Sequence, residues 1–261
     1  LEQSHWHTRV KHWSSVTPPL RPDSSSVQKQ IELVGADASN VLVLGVTPEL
    51  TKGFNNVVAV DKEQVMIEHL WIGESATKKA ILADWLSVDL PENSFAGIVG
   101  DGSLNMVQYG EPLNALFERL VHWLQPGGVC AVRVFSRPST PVTEQDVRNQ
   151  VGKLNWHAFR CFLNMHIGST QGTNIPSKNM LKTFDQLFPD RVVLCEQTGW
   201  DLQEIINSMD SYKISPNSTS YPTPEEWLEM VPPHLQDVRL EHAGDYQLAE
   251  NYPILTFRKP L

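Results

Sequence analysis

A chain of 261 residues, 41% hydrophobic and 20% charged, is long enough to bury a large core without cross-links, and its ordinary composition excludes fibrous and disordered classes. Thirty acidic against 21 basic side chains leave a formal charge of −9, the wrong sign for gripping phosphate backbones, so nucleic acid is not an expected partner. Cys130, Cys161 and Cys195 form no CxxC pair, which favours a reducing compartment, and no apolar run approaches the roughly 20 residues that span a bilayer, so the expectation is a cytoplasmic protein without a membrane partner.

Residues 5–22 mix Trp6, Trp13 and Leu20 with His5, His7 and His12 and end in Pro18-Pro19-Leu20-Arg21-Pro22. The segment is too aromatic for a free tail and too proline-broken for a long helix, so it is expected to pack as an arm over the core. The three histidines read as incidental, and no metal is expected. Apolar residues at 27, 31 and 34 predict a short helix capped by Asp23 or Ser24.

From residue 41 the rhythm becomes strand, helix, strand, with near-continuous Val, Leu and Ile runs typical of parallel strands covered on both faces. Strands are predicted over 41–45, 57–61, 80–84 and 98–101, each ending in an acid or a small polar loop. Leu113, Leu116, Phe117, Leu120, Val121 and Leu124 mark one face of a helix that stops at Gln125-Pro126-Gly127-Gly128, ahead of a strand over 129–135. The alternation then lapses, and 136–219 reads as a mostly helical insertion, with Asp201 and Glu204 at capping-box spacing. Thr223-Pro224-Glu225-Glu226 opens a last helix, and strands over 238–242 and 253–258 can pair antiparallel. The expected fold is α/β and Rossmann-like: a doubly wound, mostly parallel seven-stranded sheet with a C-terminal antiparallel hairpin and a helical insertion after strand five. Its segments are an N-terminal arm and helix (1–34), a cofactor-binding core (35–135), the insertion as a substrate cap (136–219) and a C-terminal helix and hairpin completing the sheet (220–261).

Ligands of such sheets bind outside the carboxyl ends of the strands. The first turn there is Gly45-Val46-Thr47-Pro48-Glu49, with one glycine where a dinucleotide site has several. Thr47 is branched, Pro48 has no N–H, and Glu49 puts negative charge where a phosphate would sit, so a cofactor with an amino-acid tail and a sulfonium suits this turn better than a diphosphate. The same residues also read as an N-cap, a first-position proline and a first-turn acid. Asp61 can accept two hydrogen bonds from a ribose diol, a contact that NAD and S-adenosylmethionine would share. Asp84 can accept from an adenine amino group while Trp85 walls the ring. Gly102 permits close backbone approach, and Asp101 or Ser103 can meet a methionine tail or a substrate.

Together these features resemble the class I S-adenosylmethionine-dependent methyltransferases over residues 41–135, on Val43-Leu44-Gly45, Asp61, Asp84-Trp85, Leu90-Pro91, Ser94-Phe95 and Leu124-Gln125-Pro126-Gly127-Gly128. Pro18-Pro19-Leu20-Arg21-Pro22 with Gly45-Val46-Thr47-Pro48-Glu49 looks like a little-characterised bacterial-type branch. The resemblance implies S-adenosylmethionine as cofactor, S-adenosylhomocysteine as product, and a cofactor site that also takes in Val46, Lys62 and Met66. Val43 stands where many members carry an acid; Glu49 is the expected substitute partner for the methionine amino group and Arg21 for its carboxylate. Methyl transfer from a sulfonium can proceed by positioning alone. If the acceptor must lose a proton, His157 is the expected base, with Arg160 anchoring an acidic substrate group and Tyr109 and Phe135 lining the cavity. The leading reading is a methyltransferase acting on a small molecule; the alternatives are a NAD-type oxidoreductase and a non-catalytic binding or regulatory protein. The sequence leaves the acceptor and the oligomeric state open.

Overall fold

The computed structural model describes residues 6–11 and 13–261. The arm opens with helix α1 (Trp6–Lys11), passes a single 3-10 turn at Trp13–Ser15, and leads into α2 (Ser24–Val34). Asp23 caps α2 by accepting from the Ser26 amide, as the sequence predicts, at a position where an acceptor satisfies an otherwise unpaired N–H. The core then runs β1 (Val41–Leu44), α3 (Pro48–Lys52), β2 (Val57–Asp61), α4 (Gln64–Leu70), β3 (Lys78–Leu82), β4 (Phe95–Asp101), α5 (Glu111–Trp123) and β5 (Leu124–Arg133). The insertion holds α6 (Glu144–Gln150), α7 (Trp156–Gln171), β6 (Asn174–Pro176), α8 (Ser177–Leu187), α9 (Arg191–Thr198), α10 (Leu202–Asp210) and β7 (Ser218–Ser220). The chain closes with α11 (Pro224–Met230), β8 (Gln236–Glu241) and β9 (Ile254–Arg258).

The main sheet has the order β3-β2-β1-β4-β5-β9-β8, with the first five strands parallel and β9 antiparallel to both β5 and β8. This is the expected α/β, Rossmann-like sheet with its terminal hairpin. The strand order reverses between β1 and β4, which opens a crevice at their carboxyl ends.

Alternation along the strands divides the core. Leu42, Leu44, Val58, Val60 and Ile98 pack with Leu113, Leu116, Phe117 and Leu120 of α5 and Trp227 of α11. Val41, Val43, Val57, Ala59 and Val99 turn the other way, to Leu50 of α3, Val65 and Met66 of α4, and Ile31 and Val34 of α2. The insertion carries a third core of its own, in which Trp156, Phe159, Phe184, Phe188 and Trp200 contact one another as rings 4.8 to 6.3 Å apart.

Several boundaries differ from expectation. The third strand spans Lys78–Leu82 rather than 80–84, because it is an edge strand whose half-exposed residues carry little apolar signal, and Asp84 lies beyond its end. β5 begins at Leu124 rather than 129, taking in Pro126, Gly127 and Gly128 beside a register irregularity opposite Phe95 and Gly97. The insertion is not wholly helical, since β6 and β7 form a two-stranded antiparallel ribbon. No helix of the described residues is long and apolar enough to cross a membrane.

Candidate functional site

A cleft of about 400 Å³ lies at the carboxyl ends of β1, β2 and β4, under the arm. Its floor follows from backbone chemistry at two glycines. Gly45 turns the chain out of β1 at φ +99°, and a side chain there would face the Asp61 carboxylate. Gly102 leaves β4 at φ +64°, and a β-carbon on it would stand 2.4 Å from the Phe135 ring. Gly102→Ala is therefore expected to destabilise the protein by about 2–4 kcal/mol, from left-handed strain plus overpacking, read as a lower midpoint in urea with unchanged slope.

Asp61 ends β2 with one oxygen accepting from the Glu63 amide at 2.9 Å and the other lying over Gly45. Burial pushes its carboxyl up from 3.8 to about 6, against the pull of the Glu63 amide and Lys62. Lys62 reaches Asp84 at 3.8 Å across the lip of the cleft, and Asp84 also accepts from the Leu86 amide at 2.8 Å. Trp85 is fixed by its indole N–H, which donates to the Val60 carbonyl at 2.7 Å. Met66 and Ser103 are buried and line the same cleft. The Ser103 hydroxyl has no hydrogen-bond partner among the described residues, a costly state for a buried polar group.

Of the residues singled out in the sequence, Gly45, Thr47, Asp61, Lys62, Met66, Asp84, Trp85, Asp101, Gly102, Ser103 and Phe135 thus come together around one cleft. The others do not. Val46 is packed in the core. Thr47 occupies the N-cap position of α3 without a side-chain cap bond. Glu49 and Arg21 pair with each other, and Arg21 also donates to the Trp13 carbonyl at 3.2 Å with its guanidinium over the Trp13 ring. The two charges expected to hold opposite ends of a methionine tail are therefore engaged in tying the arm to α3. Asp101, expected to meet a tail or substrate, is ion-paired with Arg133, and burial raises its carboxyl even against that neighbour. Tyr109 lies outside the cleft, where its backbone exchanges hydrogen bonds with the Asn174 side chain at 2.7 and 3.2 Å.

His157 and Arg160 line a second cavity, on the far side of Trp13 and Leu20. Both nitrogens of His157 are engaged: the Thr17 amide donates to Nδ1 at 3.1 Å, which leaves the proton on Nε2, 2.8 Å from Glu204. An imidazole held between the arm and α10 is not the base expected at the cofactor cleft. His7 lies exposed on α1, and His5 and His12 lie outside the described residues. Among the described residues no three His, Cys, Asp or Glu side chains cluster closely enough to hold a metal ion.

Sequence reasoning missed Arg133 and Asn105. Arg133 is fully buried at the end of β5; besides Asp101 it donates to the Tyr246 hydroxyl at 3.0 Å and the Pro19 carbonyl at 2.8 Å, and its guanidinium lies over the Phe135 and Tyr252 rings. The signal was present, for Arg133 is the lone charge in the apolar run 129–135, and a buried charge needs a partner. Asn105 is buried too: it bonds the Phe135 amide and carbonyl and the Ser220 carbonyl at 2.7 to 2.8 Å, joining the end of β4 to β5 and the insertion. Nothing local in the sequence marks it.

No protein family matches the chain, and no curated protein does. Solved structures match its fold along nearly the whole length. A Rhodobacter sphaeroides protein described as a putative Zn-dependent alcohol dehydrogenase is 13% identical with a TM-score of 0.60, covering 98% of this chain and 97% of its own. A chain from the complex of the Haloferax volcanii Trm112 methyltransferase activator with a putative methyltransferase is 12% identical with a TM-score of 0.55, covering 98% and 95%. The Burkholderia thailandensis 1,6-didemethyltoxoflavin-N1-methyltransferase, solved with 1,6-didemethyltoxoflavin and S-adenosylhomocysteine, is 13% identical with a TM-score of 0.52, covering 100% and 92%. At these identities what is shared is the fold, an α/β, Rossmann-like sheet with helices.

Proposed function

We propose that the protein binds S-adenosylmethionine in the cleft over β1, β2 and β4 and transfers its methyl group to a small molecule. The observation that carries this reading is the first turn together with α3. A diphosphate needs free N–H groups and positive potential at a helix start, whereas here Pro48 supplies no N–H and the Glu49–Arg21 pair occupies the site. That argues against a dinucleotide, and hence against the oxidoreductase reading. Asp61, a partly buried carboxylate lining the cleft, suits a ribose diol; Trp85 offers a wall for a purine; and the unpartnered Ser103 hydroxyl and the open backbone at Gly102 suit a polar tail. The cofactor, when bound, supplies an electrophilic methyl group on a positively charged sulfur.

The remaining task falls to the chain's own residues. Trp6, Trp13 and Leu20 roof the cleft and exclude water, while Met106, Val107 and Phe135 give an apolar wall against which an acceptor can be oriented. His157 stands away from this cleft, so the reading assigns no general base, and catalysis rests on positioning.

Thermal unfolding in the presence of S-adenosylmethionine, S-adenosylhomocysteine or NAD tests the reading. A hundredfold excess of the first two over their dissociation constants is expected to stabilise by about 2.7 kcal/mol, a rise of several degrees. Stabilisation by NAD alone would sink it.

A further inference from the structure

The second cavity, about 350 Å³, lies between the arm and helices α7 and α10. Its lining includes the apolar Trp13, Val16 and Leu20 and the acidic Asp201 and Glu204. Into it faces Arg160, whose surface is 6% exposed. The Arg160 guanidinium donates to the Tyr212 hydroxyl at 2.8 Å and sits 5.9 and 5.8 Å from the Trp156 and Tyr212 rings, but its Nε–H is buried without a partner, and no carboxylate of the described residues pairs with it. The contrast with Arg133 is direct: that equally buried cation has Asp101. A guanidinium stays charged at any physiological pH, and a buried charge without a counter-ion is strongly unfavourable. An anion in the cavity that Arg160 lines would give the guanidinium a counter-ion.

We propose that this cavity is a binding site for a small organic monocarboxylate, with its acid group on Arg160 and an aromatic or aliphatic body against Trp13, Val16 and Leu20. One guanidinium balances the charge of one carboxylate. Asp201 and Glu204, which also line the cavity, repel further negative charge, which excludes phosphate esters and dicarboxylates. His157, held between Thr17 and Glu204, is a wall of this site. The proposal does not depend on what the cofactor cleft binds, although Trp13 and Leu20 are shared by the two spaces.

Calorimetric titration with phenylacetate and indole-3-acetate, each beside its primary amide, and with phenyl phosphate tests the site in the full chain. At least one acid is expected to bind, with its amide about tenfold or more weaker and the phosphate ester weaker still. Arg160→Met is expected to reduce acid affinity by about thirtyfold or more. Because that variant changes the interior, Asn207→Trp, which adds bulk to the cavity lining from α10 and leaves Arg160 in place, is a second arm expected to abolish binding without lowering the unfolding midpoint. No binding by either acid, equal binding of acid and amide, preference for the phosphate ester, or wild-type affinity in either variant would overturn the proposal. Titration with S-adenosylmethionine in parallel separates the two readings, since a failure there leaves the carboxylate result standing.

Discussion

Replacing Arg133 by Met is expected to destabilise the protein by about 3–5 kcal/mol, enough to lower the melting temperature by on the order of 10 °C. The reason is what remains behind. Asp101 is 5% exposed at its side chain and Arg133 is 0% exposed, so removing the guanidinium leaves a carboxylate in the interior with neither a partner nor water. The substitution also strips a donor from the Tyr246 hydroxyl and from the Pro19 carbonyl. Asp101→Asn in the same background is expected to recover a large part of the loss, giving a coupling energy of about 2 kcal/mol or more in a double-mutant cycle measured by urea unfolding. Strict additivity would show that Arg133 acts through its contacts with Phe135 and Tyr252 instead of through the ion pair.

Asp61→Asn is expected to do opposite things to stability and to binding. Because burial raises the Asp61 carboxyl from 3.8 to about 6, its charge costs the ligand-free protein about 3 kcal/mol at neutral pH, and the variant should be more stable by about 1–3 kcal/mol. The folded state holds this proton more tightly than the unfolded chain does. Through this group, stability therefore rises as pH falls through about 6, and wild type and variant converge near pH 4, below which both states are protonated. A nucleoside diol needs the ionised form. S-adenosylhomocysteine should consequently bind the variant about 10- to 100-fold more weakly at pH 7.5, and wild-type affinity should decline below about pH 6. A variant that binds as tightly as wild type would remove Asp61 from the site. Such a trade between stability and affinity is usual where a fold keeps an unfavourable group for function.

The sheet and the cleft were legible because their signals are local. Gly45, Asp61 and Gly102 each follow an apolar run directly, so the end of the strand and the polar group at its tip are read in one stroke. The edge strand β3 was misplaced by two residues because one side of it faces water and its pattern is weak. What escaped altogether were partnerships between distant positions. Arg21 and Glu49 both looked like ligand contacts until they were seen to satisfy each other across 28 positions. His157 looked like a base until its partner was found in Thr17, 140 positions away. A sequence shows which residues are chemically demanding; only the fold shows which demands the chain meets internally. Arg160 is the instructive remainder, a demand among the described residues that no carboxylate meets.

The arm is fastened by Thr17 to His157, by Pro19 to Arg133 and by Arg21 to Glu49. Two of these three fasteners bridge more than a hundred positions, 140 and 114 respectively, so the arm docks on a surface built by residues far along the chain from it. Contacts so far apart along the chain carry a large loop-closure cost and form late. In folding order, therefore, the arm comes after the elements it clasps.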